Sequence, residues 1–244
     1  MERLTQLELG IILSGNVMTI SRLVDKVFSC RLCPNAYGFS SRTKDGPYFK
    51  LPPIIGKLNN AELLFVGTNS RITESNRADH KLWMRSKSTF RDLSSNKFRG
   101  NPYIEREHRY RSHVKLVKML FGENCQFGNI AAATEIFFCA TKDSGGLPDP
   151  ESPCADLFLE NVVQLTKPKI IVAVGQRVVR YFVILANKKY IRDQFALRFE
   201  NRDIPVVWMR DPRTLTLAES MKNNGLAETE KHIRRLLGLG VKPN

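Results

Sequence analysis

Ala61-Glu62-Leu63-Leu64-Phe65-Val66-Gly67 is a short apolar run that stops at a glycine. Its lack of polar alternation fits a strand buried on both faces, as in parallel sheets covered by helices. Ile170-Ile171-Val172-Ala173-Val174-Gly175 repeats the pattern after Pro168, and Ile204 to Met209 gives another strand before Asp211-Pro212-Arg213. A further strand is expected over Ala131 to Phe138. Between these runs the apolar residues fall at helical spacing: Leu116, Val117 and Leu120 within 114–121, Phe158 and Val162 within 155–166, then 178–186 and 214–237. Residues 4–28 read as two short helices broken near Ser14-Gly15-Asn16. Asp45-Gly46-Pro47 and Leu51-Pro52-Pro53 read as loop, and residues 71–111 as polar, basic and irregular. Strands alternating with helices predict an α/β fold, a three-layer α/β/α sandwich around a mostly parallel central sheet. The strand ends then bring Gly67, Gly175 and Asp211 to one edge, where chemistry concentrates in such folds.

The chain has 244 residues, 42% hydrophobic and 25% charged, a composition that excludes disorder and allows one substantial core. No repeat or linker divides it, so residues 1–244 are read as a single domain, with residues 1–57 a helical part that carries a cysteine pair. Thirty-eight Lys and Arg against 24 Asp and Glu leave +14, which points to a polyanionic partner. The longest apolar run, Ile170 to Val174, is far short of a membrane span, and Met1-Glu2-Arg3-Leu4-Thr5 lacks the apolar stretch of a signal peptide. A cytoplasmic monomer with no membrane contact is expected.

Five cysteines are an odd number in a chain too large to need disulfide staples. Cys30 and Cys33 form a C-x2-C pair followed by Pro34, and Cys139 and Cys154 bracket a loop rich in Gly and Pro. A C-x2-C turn aims two sulfurs at one metal, and a strand end plus a helix start can supply two more. Four thiolates suit zinc and iron-sulfur clusters equally, and four buried cysteines are the alternative. Cys125 lies outside the pattern. The four histidines, His80, His108, His113 and His232, lack metal-ligand spacing.

Over residues 28–236 the chain resembles the iron-sulfur branch of the uracil-DNA glycosylase superfamily. Phe28-Ser29-Cys30-Arg31-Leu32-Cys33 is similar to that branch's early cysteine pair, and Leu63 to Gly67 to its first catalytic strand. Phe138-Cys139 through Pro153-Cys154 is similar to its second cysteine pair, and Pro168 to Gly175 to the strand that follows. The resemblance implies a 4Fe-4S cluster on Cys30, Cys33, Cys139 and Cys154. It also implies DNA binding, base flipping and cleavage of an N-glycosidic bond.

The motifs depart from that branch in informative ways. Where it reads G-E-x-P-G, this chain has Gly67-Thr68-Asn69-Ser70-Arg71, closer to the G-x-N-P of the mismatch-specific branch. By that similarity Asn69 holds the attacking water with Thr68 beside it, although an Asn at a strand end also makes turns. Trp83, with Phe90 in reserve, is the candidate for stacking on the flipped base, or else packs in the core. The late H-P-S motif is replaced by Asp211-Pro212-Arg213, so a histidine that would stabilise the departing base is missing. Arg210 or Arg213 can substitute for it, while Asp211 can support positive charge on the sugar or act as an acid or base.

Glu135 stands where the family has an Asn whose amide pairs with uracil. A carboxylate accepts from the N4 amine of a cytosine and repels uracil O4, so a 5-substituted cytosine, such as one carried by viral DNA, is the expected target. Pairing with an arginine is the other reading of Glu135. The basic stretch from Lys97 to Lys118, including Arg109 and Arg111 with His108, His113, Tyr103 and Tyr110 among the cations, suits phosphate contact or a solvated face. The expected activity is a DNA glycosylase. A non-catalytic DNA-binding module and an ordinary uracil-DNA glycosylase are the alternatives.

Overall fold

The computed structural model describes residues 18–30, 42–43, 46–47, 53–68, 110–138, 152–186, 194–199, 202–210 and 224–240. In chain order they form α1 (Ile20–Ser29), β1 (Arg42–Thr43), β2 (Gly46–Pro47), β3 (Ile55–Gly56), β4 (Leu63–Gly67), α2 (Arg111–Phe121) and α3 (Phe127–Ile130). There follow β5 (Ala131–Glu135), α4 (Pro153–Thr166), β6 (Ile170–Val174), α5 (Gln176–Leu185), β7 (Gln194–Phe199), β8 (Arg202–Met209) and α6 (Asn224–Leu237).

The main sheet has six strands in the order β3-β5-β4-β6-β8-β7. The inner four, β5, β4, β6 and β8, are parallel, and β3 and β7 close the two sides antiparallel. The chain is therefore α/β with a mixed sheet. The apolar runs at 63–67 and 170–174 are the two central strands, buried along nearly their whole length, as their lack of alternation requires.

Alternate residues of the same strands feed two separate cores. Leu64, Val66, Ala132, Ile171, Ala173 and Val206 join Leu23, Val24 and Val27 of α1, Phe158, Leu159, Val162 and Val163 of α4, and Val178 and Phe182 of α5. Leu63, Phe65, Ala131, Ala133, Ile170, Val172 and Val207 join Leu116, Val117 and Leu120 of α2, Phe127 of α3 and Ile233 of α6. This division is the period-2 rule of strands, which sends successive side chains to opposite faces.

Local signals explain the element ends. Thr19 opens α1, its hydroxyl accepting from Arg22 N at 3.3 Å, and Ile20, Leu23, Val24 and Val27 make one apolar stripe. Ser152 caps α4, accepting from Ala155 N at 3.2 Å, with Pro153 at the first helical position where its missing N–H costs nothing. Gly175 joins β6 directly to α5 at φ 87°, a conformation that glycine takes without strain.

Several boundaries differ from the sequence reading. Strand β5 ends at Glu135 rather than Phe138, although Ile136 N and Phe137 N go on to bond Gly67 O at 2.8 Å and Thr68 O at 3.0 Å. Gly46 and Pro47, read as loop, pair antiparallel with Thr43 and Arg42. Strand β7 was not anticipated: it alternates buried Phe195 and Leu197 with exposed Arg198, which pairs with Asp203 across the ladder at 3.5 Å. Of the two early helices only 20–29 falls among the described residues, as does only 224–237 of the final helical stretch.

Candidate active site

The carboxyl ends of the parallel strands meet in register. Gly67 of β4 lies opposite Glu135 of β5, and Gly175 N, just past β6, donates to Met209 O at the end of β8 at 2.8 Å. Gly67, Gly175 and Arg210 thus sit along one edge; Asp211, expected there with the two glycines, lies outside the described residues. Among the described residues the next helix after β4 is α2, in the second core, and the next after β5 is α4, in the first. In α/β sheets, ligands usually sit at the carboxyl ends of neighbouring strands whose following helices lie on opposite faces.

Gly67 and Glu135 stand side by side at this edge. Both fall on the strand positions that face the second core, and the Glu135 side chain folds across onto Gly67. A β-carbon on Gly67 would collide with Glu135 Oε2 and stand 3.0 Å from Cδ and 3.3 Å from Oε1. Only glycine leaves this room. The Glu135 residue is 8% exposed, so its carboxylate is held in a mostly desolvated place where hydrogen-bonding partners matter strongly. Beside it, Thr134 Oγ1 donates to Pro53 O at 2.6 Å and fixes the end of β5 from the opposite face.

Thr68 is half-buried, and its carbonyl is engaged by Phe137 N, so the strand pairing holds the backbone up to the residue before Asn69. Asn69, Trp83, Phe90, Arg109, Asp211 and Arg213 lie outside the described residues. Arg210 and Arg111 are described and exposed, at the end of β8 and the start of α2. Lys115 is exposed as well, and Lys118 approaches Glu123 at 3.9 Å.

His113 departs from the expectation of a solvated basic stretch. It is 6% exposed, its ring 4.6 Å from the Phe65 ring and 5.5 Å from Tyr110. Helical phase explains this, because His113 precedes Leu116, Val117 and Leu120 by three, four and seven positions and shares their inward stripe. Its burial was legible in that spacing. The contact between Gly67 and Glu135 was not, since it depends on a register between strands far apart in sequence.

Of the four expected cluster ligands, Cys30 and Cys154 are described, and Cys33 and Cys139 lie outside the described residues. Cys30 ends α1, where the backbone turns extended, and Cys154 is the second residue of α4. These two helices touch, and both thiols belong to the first core, Cys154 at 3% exposure and Cys30 packed at its margin. Ser152 Oγ, two residues before Cys154, donates to Ile136 O and so anchors the start of α4 to the end of β5. Cys30 and Cys154 are thus held against one core by contacting helices. No group of three potential metal ligands occurs among the described residues. Cys125, outside the expected set, is half-buried and donates to Phe121 O at 3.0 Å.

No helix among the described residues is long and apolar enough to cross a membrane. Compared with protein-family models and with curated proteins, the chain gives no match.

Proposed function

We propose that this chain is a DNA glycosylase that flips out and excises a modified pyrimidine of the 5-substituted cytosine class, leaving an abasic site. The observation that carries the reading is the buried Glu135 carboxylate lying across Gly67 at the carboxyl ends of β4 and β5. In this position it presents acceptor oxygens to a flipped base. A cytosine-type base offers its N4 amine to them, whereas uracil offers O4, and the mismatch is worth about 1–3 kcal/mol.

In this scheme Thr68 lines the pocket, Trp83 stacks on the extruded base and Asn69 holds the water that attacks the anomeric carbon. The glycosidic bond breaks with its electrons leaving on the base, and Asp211 supports the positive charge that develops on the sugar. Arg109, Arg111, Arg210 and Arg213 contact phosphates, in keeping with the net charge of +14. A 4Fe-4S cluster on Cys30, Cys33, Cys139 and Cys154 would tie together segments distant in sequence. The two cores on opposite residues of one sheet support the three-layer α/β/α reading. We read the chain as one domain acting as a cytoplasmic monomer.

The test is base release. Duplexes carrying single modified bases are incubated with the protein and treated with alkali, which cleaves at abasic sites. Release of a 5-substituted cytosine, loss of release in Asn69→Ala with DNA binding retained, and a shift toward uracil in Glu135→Asn are expected. Efficient uracil release by the unaltered protein with no action on any 5-substituted cytosine would overturn the target, and no release from any duplex would leave a DNA-binding module.

A further inference from the structure

Gly67 ends β4 with φ outside the left-handed region, so its backbone conformation does not call for glycine. What the position needs is room. The hydrogen that a β-carbon would replace points at Glu135 Oε2, and the carboxyl carbon lies 3.0 Å from where that β-carbon would stand. Gly67 is half-buried and Glu135 is buried, so the carboxylate rests against the end of β4 rather than out in solvent.

The backbone around this contact is tied down. Ile136 N donates to Gly67 O at 2.8 Å and Phe137 N to Thr68 O at 3.0 Å, which joins the two strands beyond the pairing of Gly67 with Glu135. Thr134 Oγ1 donates to Pro53 O at 2.6 Å, and Ser152 Oγ donates to Ile136 O from the start of α4. Neither strand can draw back to admit a side chain at 67 without breaking buried hydrogen bonds, which is costly. A β-carbon there would instead turn the Glu135 side chain into another rotamer.

We propose that Gly67 is a positioning residue for base selection: its missing β-carbon holds the Glu135 carboxylate against β4, and the size of residue 67 thereby sets which pyrimidine the site prefers. This rests on the reading of Glu135 as the group that meets the base edge. Oxygens held in one place accept from an N4 amine in one geometry, and hydrogen bonds weaken steeply when misaligned. Turning the carboxylate off β4 takes its acceptors away from the amine. Uracil presents O4 at that point, gains nothing from those oxygens and loses nothing when they move. Residue 67 thus acts through Glu135 on the ratio between the two bases.

The test compares release of 5-methyl- or 5-hydroxymethylcytosine with release of uracil from duplex DNA, by the full chain and by Gly67→Ala, Glu135→Asp and the double variant. Gly67→Ala should lower the cytosine-to-uracil ratio of kcat/KM by about tenfold or more, as expected for one misplaced base contact. A merely structural defect would slow both bases alike and leave the ratio unmoved. Aspartate is one methylene shorter and withdraws the carboxylate from residue 67, so in that background the same substitution should change the ratio by less than about threefold. An unchanged ratio in folded Gly67→Ala, or an equal loss in both backgrounds, overturns the proposal. Should Gly67→Ala not fold, the double variant with aspartate must fold, and failure of both overturns it. A substrate-free measurement distinguishes the seat from its use: the Glu135 carboxyl carbon, assigned by its loss in Glu135→Gln, is followed by NMR. If its resonance moves in Gly67→Ala yet wild type releases no base, the glycosylase reading fails and the seat stands. A resonance that stays put in folded Gly67→Ala overturns the seat itself.

Discussion

The carboxylate of Glu135 fills the space that a side chain on Gly67 would need, with Cδ 3.0 Å from the position of a β-carbon there. The two residues are therefore coupled. Gly67→Ala should displace Glu135 and destabilise the fold by about 1–3 kcal/mol, the usual range for overpacking. Glu135→Ala should relieve part of that cost, so the double variant is expected to fall short of additivity by about 1 kcal/mol in urea unfolding. Strict additivity would mean that the carboxylate swings away freely.

Thiol chemistry makes a visible prediction. Protein purified without exposure to air should be brown and contain iron, and both Cys30→Ala and Cys154→Ala should lose the colour together with cooperative unfolding, because metal binding is coupled to folding. Cys125→Ala, whose thiol only donates to Phe121 O, should keep both. Colourless protein with stoichiometric zinc would replace the cluster by a structural metal site.

Arg234 closes the end of α2. Its guanidinium reaches Met119 O at 2.7 Å, Leu120 O at 3.4 Å, Gly240 O at 3.0 Å and Glu230 Oε1 at 2.8 Å, with the side chain only 12% exposed. The last carbonyls of a helix have no partner within it, and this one fork serves two of them. Arg234→Met should cost about 2–4 kcal/mol of unfolding free energy, since it strands those carbonyls and a half-buried Glu230. Arg234→Lys, with one compact ammonium, should restore less than half.

Alkaline stability should report on Tyr181. Its hydroxyl donates to Asp156 Oδ1 at 2.8 Å and joins α5 to the first turn of α4. Burial, and then the Asp156 charge and hydrogen bond, push the phenol well above its ordinary range. The folded chain thus keeps this phenol neutral where the unfolded chain ionises it, so its contribution is complete below about pH 10 and declines as the pH rises further. Tyr181→Phe should cost about 1 kcal/mol at neutral pH and show a shallower loss of stability above pH ~10 than wild type. Parallel curves would place the alkaline response elsewhere.

The parallel strands were readable because burial on both faces leaves no polar alternation, and 63–67 and 170–174 show none. Strand β7 is half-buried and contains Arg198, so in the sequence its alternation resembles an amphipathic surface segment. Helix α4 was placed from its apolar stripe, but its start two residues early follows from the Ser152-Pro153 pair, a cap signal available in the sequence. For the site, the residue types at 67 and 135 could be noticed singly. Their contact required the register between β4 and β5, which no local pattern encodes. His113 stands in a run of cations, yet it shares the helical phase of Leu116 and Leu120 and is buried with them.

The strand order has a consequence for how the chain is made. Strand β4 occupies the middle of the sheet, yet Leu63 finds its two partners only at Ala131 and at Ile170, late in synthesis. A nascent chain that has emerged as far as α4 still carries β4 with one entire edge of backbone N–H and C=O groups unpaired. Contacts of such long sequence separation form slowly, and an open strand edge invites pairing with other chains. Reaching β6 is thus the step at which the growing polypeptide ceases to expose the centre of its own sheet.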